Sequence, residues 1–470
     1  MITPTRSAPA CGLNERCNYW LWAGVPPYHM RGDRRWQVAH ADFYLAKAML
    51  RTFYGRATLS ADWSGEYEEK SAGWFELFLD LIMVAACSNV AEGLKEDVSV
   101  HGLLLFGAMS LVYVSVWHMY TLFNARYSET SLLHYLFLYM LLVGLGTMVL
   151  SSEPSPTFTL GLIVLRSSIV LMKLSVYGCL PRARPKLRVD VSLQLVSIAL
   201  LIASLHLPPS FTLPTYLLGF VLESVMQFAS AVWLRFRTVH VPLNIDHMNE
   251  REGCLVMVAL GESVVSAVIN SRDLVLTPRF YVAMQLSLFV ILSLAIYYFS
   301  LQPPRELHAL RRSYVTGFVF TYVHFALVPT LLVVGVGTKL VSAAVLADEL
   351  LAPTSVWLFF GAISAAMTLM LVLRLLHFGG RQPEATDPPC VKRIKYAWWS
   401  IFVVWPLLLL VCAYALSWQG PVDPITALSV AVACVVVWLV SETAIMHLLA
   451  ATGYGDIHHL RTEKSPLLSS

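Results

Sequence analysis

Apolar runs of roughly twenty residues, set apart by short polar segments, dominate the chain from residue 73 onward. About twenty residues of α-helix rise roughly 30 Å, the thickness of a bilayer's hydrocarbon core, so this pattern predicts membrane-spanning helices. Twelve windows carry it: 73–93, 101–123, 131–150, 157–180, 189–207, 213–234, 252–270, 279–301, 313–336, 355–377, 396–416 and 424–448. The segments between them, such as SSEPSP, PRARPKLR and GGRQPEATDPP, are rich in Pro, Gly and charge and leave no room for a soluble domain after residue 72. The expected fold is an all-α polytopic membrane bundle of about twelve helices. It divides into a leader (1–72), a first six-helix half (73–235), a second half (236–450) and a tail (451–470).

Composition agrees, since 57% hydrophobic and only 13% charged residues cannot cover a soluble surface. Basic residues gather on the cytoplasmic side of membrane proteins. With the N-terminus cytoplasmic, that side holds seventeen loop Lys and Arg, against Lys95, Arg272, Arg279 and Lys339 on the other. Both termini are therefore expected inside, and the net charge of +3 reflects topology rather than nucleic-acid binding. The eight cysteines show no C-x-x-C spacing, so neither a metal nor a disulfide framework nor a cofactor is implied.

In the leader, Trp36, Ala39, Phe43, Ala46, Leu50 and Phe53 recur at helical spacing among Arg34, Arg35, Lys47, Arg51 and Arg56, the pattern of an interfacial helix. The tail contains Gly453-Tyr454-Gly455-Asp456-Ile457 and Glu463-Lys464-Ser465-Pro466-Leu467-Leu468. The first, through Tyr454 and Ile457, resembles a Tyr-x-x-apolar sorting signal. The second, through Glu463, Leu467 and Leu468, resembles an acidic dileucine signal read by adaptor complexes. Plasma membrane and endolysosomal membrane both stay open. Thr452-Gly453-Tyr454-Gly455-Asp456 also resembles a potassium-channel filter, but no spanning helix follows to build a pore around it.

Ionisable residues inside the apolar windows are the candidate chemistry. Asp80 and Glu262 sit in WFELFLDLIMVAA and CLVMVALGESVVSAV. A carboxylate at bilayer depth costs about 2.5–3.5 kcal/mol, so it is retained to face a partner, a cavity or a solute path. Glu76 stands four residues before Asp80 and shares its helical face. The two halves echo one another. LIMVA follows Asp80 and LVMVA precedes Gly261-Glu262; His134 and His324 each precede a G-x-G-T; Arg166 and Arg374 fall in the fourth and tenth windows; Glu223 and Glu442 fall in the sixth and twelfth. A parallel 6+6 repeat with a cavity between halves is the expectation. His134, Arg374 and Glu442 lie close to the cytoplasmic helix ends, from where a side chain can snorkel.

Two longer motifs carry a family resemblance. Glu76, Leu77, Phe78, Asp80 and Leu81 form one, and His247, Glu250, Arg251, Gly253, Leu260, Gly261 and Glu262 form the other, starting in the loop before the seventh window. With Phe123, Arg126 and Tyr127 at the end of the second window, these stretches resemble the bacterial low-temperature-requirement protein A family over roughly residues 70–450. The resemblance implies a multi-pass membrane protein and no settled activity. Leu79 and Cys254 depart from the family pattern by apolar exchange only.

The leading functional expectation is a transporter or channel for an ion or small solute, with Asp80 and Glu262 as carboxylates that gain and lose protons, coupling transport to them, or coordinate a cation. Arg166 and His324 are the expected basic neighbours, and Glu76 and Glu223 further carboxylates. One alternative is a scaffold or receptor-like protein whose buried charges only specify packing. The other is a lipid-active enzyme, which the chain's lack of H-E-x-x-H, G-x-S-x-G and P-loop motifs disfavours. Expected partners are the bilayer, a small solute, adaptors at the tail and a second copy of the chain.

Overall fold

A computed structural model describes residues 53, 55, 57–61, 71–151, 153–236, 241–268, 277–300, 308–378, 383, 385–418 and 420–452. Apart from Phe53, the amphipathic leader stretch lies outside these residues, as do both tail motifs with Tyr454, Ile457, Glu463, Leu467 and Leu468. The chain divides into two compact units, one of residues 1–56 and 129–136 and one of residues 57–128 and 137–470. In the first, the Ser131 hydroxyl donates to Glu129 (3.0 Å) and accepts the backbone N–H of His134 (3.1 Å).

The helices run α1 (Trp74–Glu96), α2 (Val100–Arg126), α3 (Leu132–Val149), α4 (Pro156–Cys179), α5 (Arg184–Ser204), α6 (Thr212–Phe236) and α7 (Ile245–Val268). They continue with α8 (Pro278–Ser300), the short α9 (Ala309–Arg312), α10 (Tyr314–Ala347), α11 (Pro353–Phe378), α12 (Pro389–Ser417) and α13 (Pro424–Ala451). The elements follow local chemistry. Ser99 caps α2, Ser155 caps α4 with Pro156 in its first turn, and Ser313 forms a capping box at α10. An antiparallel ribbon, Thr58–Leu59 against Tyr127–Ser128, continues α2 beyond its C-terminus.

The architecture is an all-α multi-pass membrane bundle, in which ten helices among the described residues are long and apolar enough to cross a bilayer. α6 and α7 are the two long helices outside that set, and α7 carries Asp246, Glu250, Arg251, Glu252 and Glu262. The expected loop His247–Gly253 is instead helical, because Asn244 starts α7 early by accepting the His247 N–H on its side chain and the Met248 N–H on its backbone, both at 3.1 Å. Likewise α10 runs through Pro329 to Ala347, well past the expected end at 336, so Lys339 belongs to a helix rather than a loop.

α10 is the central post, with most of its residues buried. It packs against α7, α11, α1, α8 and α2. Glycines permit two of these approaches: a Cβ on Gly335 would stand 2.8 Å from the Ser263 hydroxyl, and one on Gly337 2.7 Å from the Phe359 ring. In α3, a Cβ on Gly144 would stand 2.7 Å from the Gly161 carbonyl of α4. At the periphery, Leu407, Val411 and Val440 are more than half exposed, as a lipid-facing surface requires. Neighbour relations recur along the chain. α1 packs on α2 as α7 does on α8, α4–α5–α6 pack in series as α11–α12–α13 do, and α2 meets α6 as α8 meets α13.

Candidate functional site

On α1, Glu76 and Asp80 stand one turn apart; on α7, so do His247 and Arg251. The two helices bring these rungs together. Arg251 donates Nη1 to Asp80 Oδ2 (2.6 Å) and Nη2 to Asp80 Oδ1 (2.7 Å), a bidentate clasp. Trp117 of α2 donates its indole N–H to the same Oδ1 (2.8 Å), and the guanidinium lies 5.1 Å from the Trp117 ring centre. His247 Nε2 meets Glu76 Oε1 at 3.1 Å, while Glu76 Oε2 accepts the Gly73 N–H at 2.8 Å. Beside them, Glu252 faces His118 of α2 at 3.6 Å. Arg251 and His247 are fully buried, so the guanidinium depends on Asp80 for its counter-charge and the imidazole on Glu76 for its hydrogen bond.

Glu262 occupies a different place. Aligning Leu81–Ala85 with Leu255–Ala259 sets Ser88 of α1 at the position of Glu262 in α7, and Ser88 is one of the hydroxyls beside the Glu262 carboxyl, with Ser266 the other. The equivalent positions of the two helices thus meet where α1 and α7 cross. Glu262 is 2% exposed, and its Oε1 has no hydrogen-bond partner among the described residues. Lys339 of α10 and Glu92 of α1 are the nearby charges, and they pair with each other, while Lys95 joins Glu92 at 2.8 Å. From Asp80 to Ser88 is about two helical turns, roughly 12 Å along α1.

The other sequence-derived candidates have separate partners. Arg166 of α4 pairs with Glu223 of α6, and Arg374 of α11 with Glu442 of α13, which also accepts the Trp398 indole N–H at 3.0 Å. Arg374 and Glu442 are both 4% exposed, so they do not snorkel; each neutralises the other in place. His324 is satisfied at both nitrogens, by Tyr298 OH and the Phe320 carbonyl, each at 2.9 Å. Arg166 and His324 are therefore not the basic neighbours of Asp80 and Glu262; Arg251 and Lys339 hold those places. Among the described residues, no group of three or more His, Cys, Asp or Glu is arranged to hold a metal ion.

A groove of about 1120 Å³ runs between α1 and α7. Asp80, Glu250, Asn249 and His308 line its polar end, while Leu81, Val84, Met257, Gly261, Val265 and Phe299 line the rest. Glu262, Glu223, Arg166 and His324 do not reach it, so the expected single chamber shared by the acids is not this groove. His308 precedes α9, outside the spanning helices. Burial above all, helped by His377 and His324, pushes its imidazole down to about 3. Its Nδ1 accepts the Leu310 N–H at 3.2 Å and its Nε2 faces Asn249 at 2.9 Å.

Residues 71–441 match the family described as bacterial low temperature requirement A protein, LtrA. The chain belongs to this family. No curated protein and no solved structure matches it. Most of the residues that carried the resemblance meet at the α1–α7 contact: Glu76, Asp80, His247 and Arg251 form the clasp, Glu250, Gly253 and Gly261 line the groove, and Glu262 marks the crossing. Arg126 stands apart, at the end of α2. Trp117, Ser88 and Lys339 were not singled out from sequence as partners. The signal for the clasp was present, since an E-x-x-x-D face is complementary to an H-x-x-x-R face once both are read as helix.

Proposed function

We propose that this low temperature requirement A protein carries an ion or small solute across the membrane, with Glu262 as the group that gains and loses a proton or cation. The observation that carries the reading is the buried Glu262 carboxyl with an unpartnered oxygen, ringed by Ser88 and Ser266 where α1 and α7 cross. A carboxylate in such surroundings is favoured only when a proton or cation compensates it, which links occupancy to protonation. The matched ion pairs Arg166–Glu223 and Arg374–Glu442, with the recurring neighbour relations, support two similar six-helix halves with Glu262 close to their pseudo-twofold axis. Asp80 then acts as the lock of the clasp between halves and not as a second exchanging acid. No covalent chemistry is assigned to the site.

A second reading, a scaffold whose buried charges specify packing, is favoured by the mutual satisfaction of Asp80–Arg251, Arg166–Glu223 and Arg374–Glu442. Flux separates the two. Purified protein reconstituted in liposomes should dissipate an imposed proton or alkali-cation gradient, and Glu262→Gln should abolish this while keeping a monodisperse fold. Equal flux in Glu262→Gln removes the proposed role, and no flux in the wild type under any imposed gradient favours the scaffold.

A further inference from the structure

Away from the α1–α7 contact, α2, α4, α5 and α6 bring four cations, Arg126, Arg166, Lys173 and Lys186, together with two carboxylates among the described residues, Asp190 and Glu223. Among the described residues, four positive against two negative leaves a surplus of two positive charges. Both carboxylates are already engaged. Asp190 accepts Lys186 at 2.7 Å, which also donates to Ser230 at 2.9 Å, and Glu223 pairs with Arg166. Lys173 is left over: it is 8% exposed, has Asp190, Glu223, Arg126 and Arg166 as its charged surroundings, and makes no hydrogen bond or ion pair among the described residues. Arg126 is half-buried and its side chain also has no such partner among the described residues, with its Nε enclosed. The adjacent Tyr127 hydroxyl is buried and unpartnered as well.

The second half shows the contrast. Arg374 has Glu442, and Lys395 has Asp387 at 2.8 Å. An uncompensated ammonium inside a bundle is unfavourable unless something supplies the opposite charge. Here an ammonium, a guanidinium and a phenol O–H are all donors without acceptors. That set matches an anion with several oxygens and one to two negative charges.

We propose that Arg126, Tyr127 and Lys173 form a binding site for a phosphate group, supplied either by an anionic lipid headgroup or by a free phosphate. The site lies where α2 and α4 finish and α5 begins, next to Arg182, Arg184 and Arg188. The Tyr177 carbonyl and hydroxyl tether the last two at 3.1 Å each, and this basic rim draws anions toward the entrance. The site is independent of the transport reading and stands or falls separately from it.

The test uses the full-length protein and thermal unfolding with native mass spectrometry. The probes are inorganic phosphate and nanodiscs of phosphatidylcholine with or without phosphatidylinositol phosphate. At least one probe should raise the midpoint of the wild type: a response to inorganic phosphate assigns a soluble anion, and a response to the lipid alone assigns a headgroup. Lys173→Met and Arg126→Gln should each weaken binding roughly tenfold or more, the loss of one charged hydrogen bond, while Lys173→Arg retains it. Without ligand, Lys173→Met should unfold no earlier than the wild type, because it removes an uncompensated charge. If Lys173→Met does not fold, the half-buried Arg126→Gln carries the comparison. A wild type that responds to neither probe, or variants that respond as it does, overturns the proposal.

Discussion

Breaking the clasp on one side should cost far more than removing it whole. Asp80 accepts two hydrogen bonds from Arg251 and one from Trp117, all between 2.6 and 2.8 Å and all buried. Arg251→Met leaves the carboxylate with the indole alone, and Asp80→Leu leaves a fully buried guanidinium with the Trp117 ring, the Glu76 backbone carbonyl at 3.4 Å and the more distant Glu76 carboxylate (4.0 Å). Each single change should lose about 3–5 kcal/mol, the cost of stranding one member of a buried pair. The double variant Asp80→Leu/Arg251→Met removes both charges and strands only the Trp117 N–H, a loss of about 1–3 kcal/mol. The coupling energy is then several kcal/mol and of opposite sign to the single losses. Unfolding in mixed micelles by SDS titration, with helicity as the signal, measures all four species. A double variant as unstable as the sum of the singles refutes the clasp as a coupled, desolvated unit.

Two further outcomes follow from the same geometry. Gly337→Ala places a methyl 2.7 Å from the Phe359 ring, where α10 and α11 approach closely, and should destabilise by about 1–3 kcal/mol in the same titration, whereas Gly261→Ala, whose Cβ meets open space, should lie within about 0.5 kcal/mol of wild type. His308 is held neutral in the fold, with a pKa near 3 against the ordinary 6.5, so the unfolded chain takes up a proton that the folded chain refuses. Its contribution to stability is whole above about pH 6.5 and is lost as pH falls toward 3; His308→Gln should flatten the midpoint-against-pH curve in that window, and an unchanged curve contradicts the assignment.

Much of the fold was legible because hydrocarbon imposes one simple demand, about twenty apolar residues per crossing. The windows located the long helices well, yet they missed the start of α7. A hydropathy window discounts Asp246, Glu250, Arg251 and Glu252 as loop, whereas Asn244 caps a helix in which Arg251 is neutralised by Asp80 of α1 and Glu252 faces His118 of α2. Lys339 was misplaced because α10 continues past 336, where Lys339 pairs with Glu92 of α1. The acids themselves were recognisable from burial cost alone. Their partners were not, because Arg251, Trp117 and Ser88 come from different helices and only the packing of α1 on α7 and α2 selects them. Arg166 and Glu223 were read as neighbours of the central acids, and their true relation, mutual pairing, was hidden in the parallel with Arg374 and Glu442.

The central claim is that the Glu262 station communicates with water, and labelling of a cysteine at Ser88 tests it most directly. In a background with all eight native cysteines replaced, proteoliposomes carrying Ser88→Cys are exposed to a membrane-impermeant thiol reagent from one side, then from the other. The account predicts modification from at least one side in the membrane, slowed when pH or cation changes the occupancy of Glu262. A thiol that stays unmodified from both sides, while a cysteine at the lipid-water boundary reacts in the same vesicles, contradicts it.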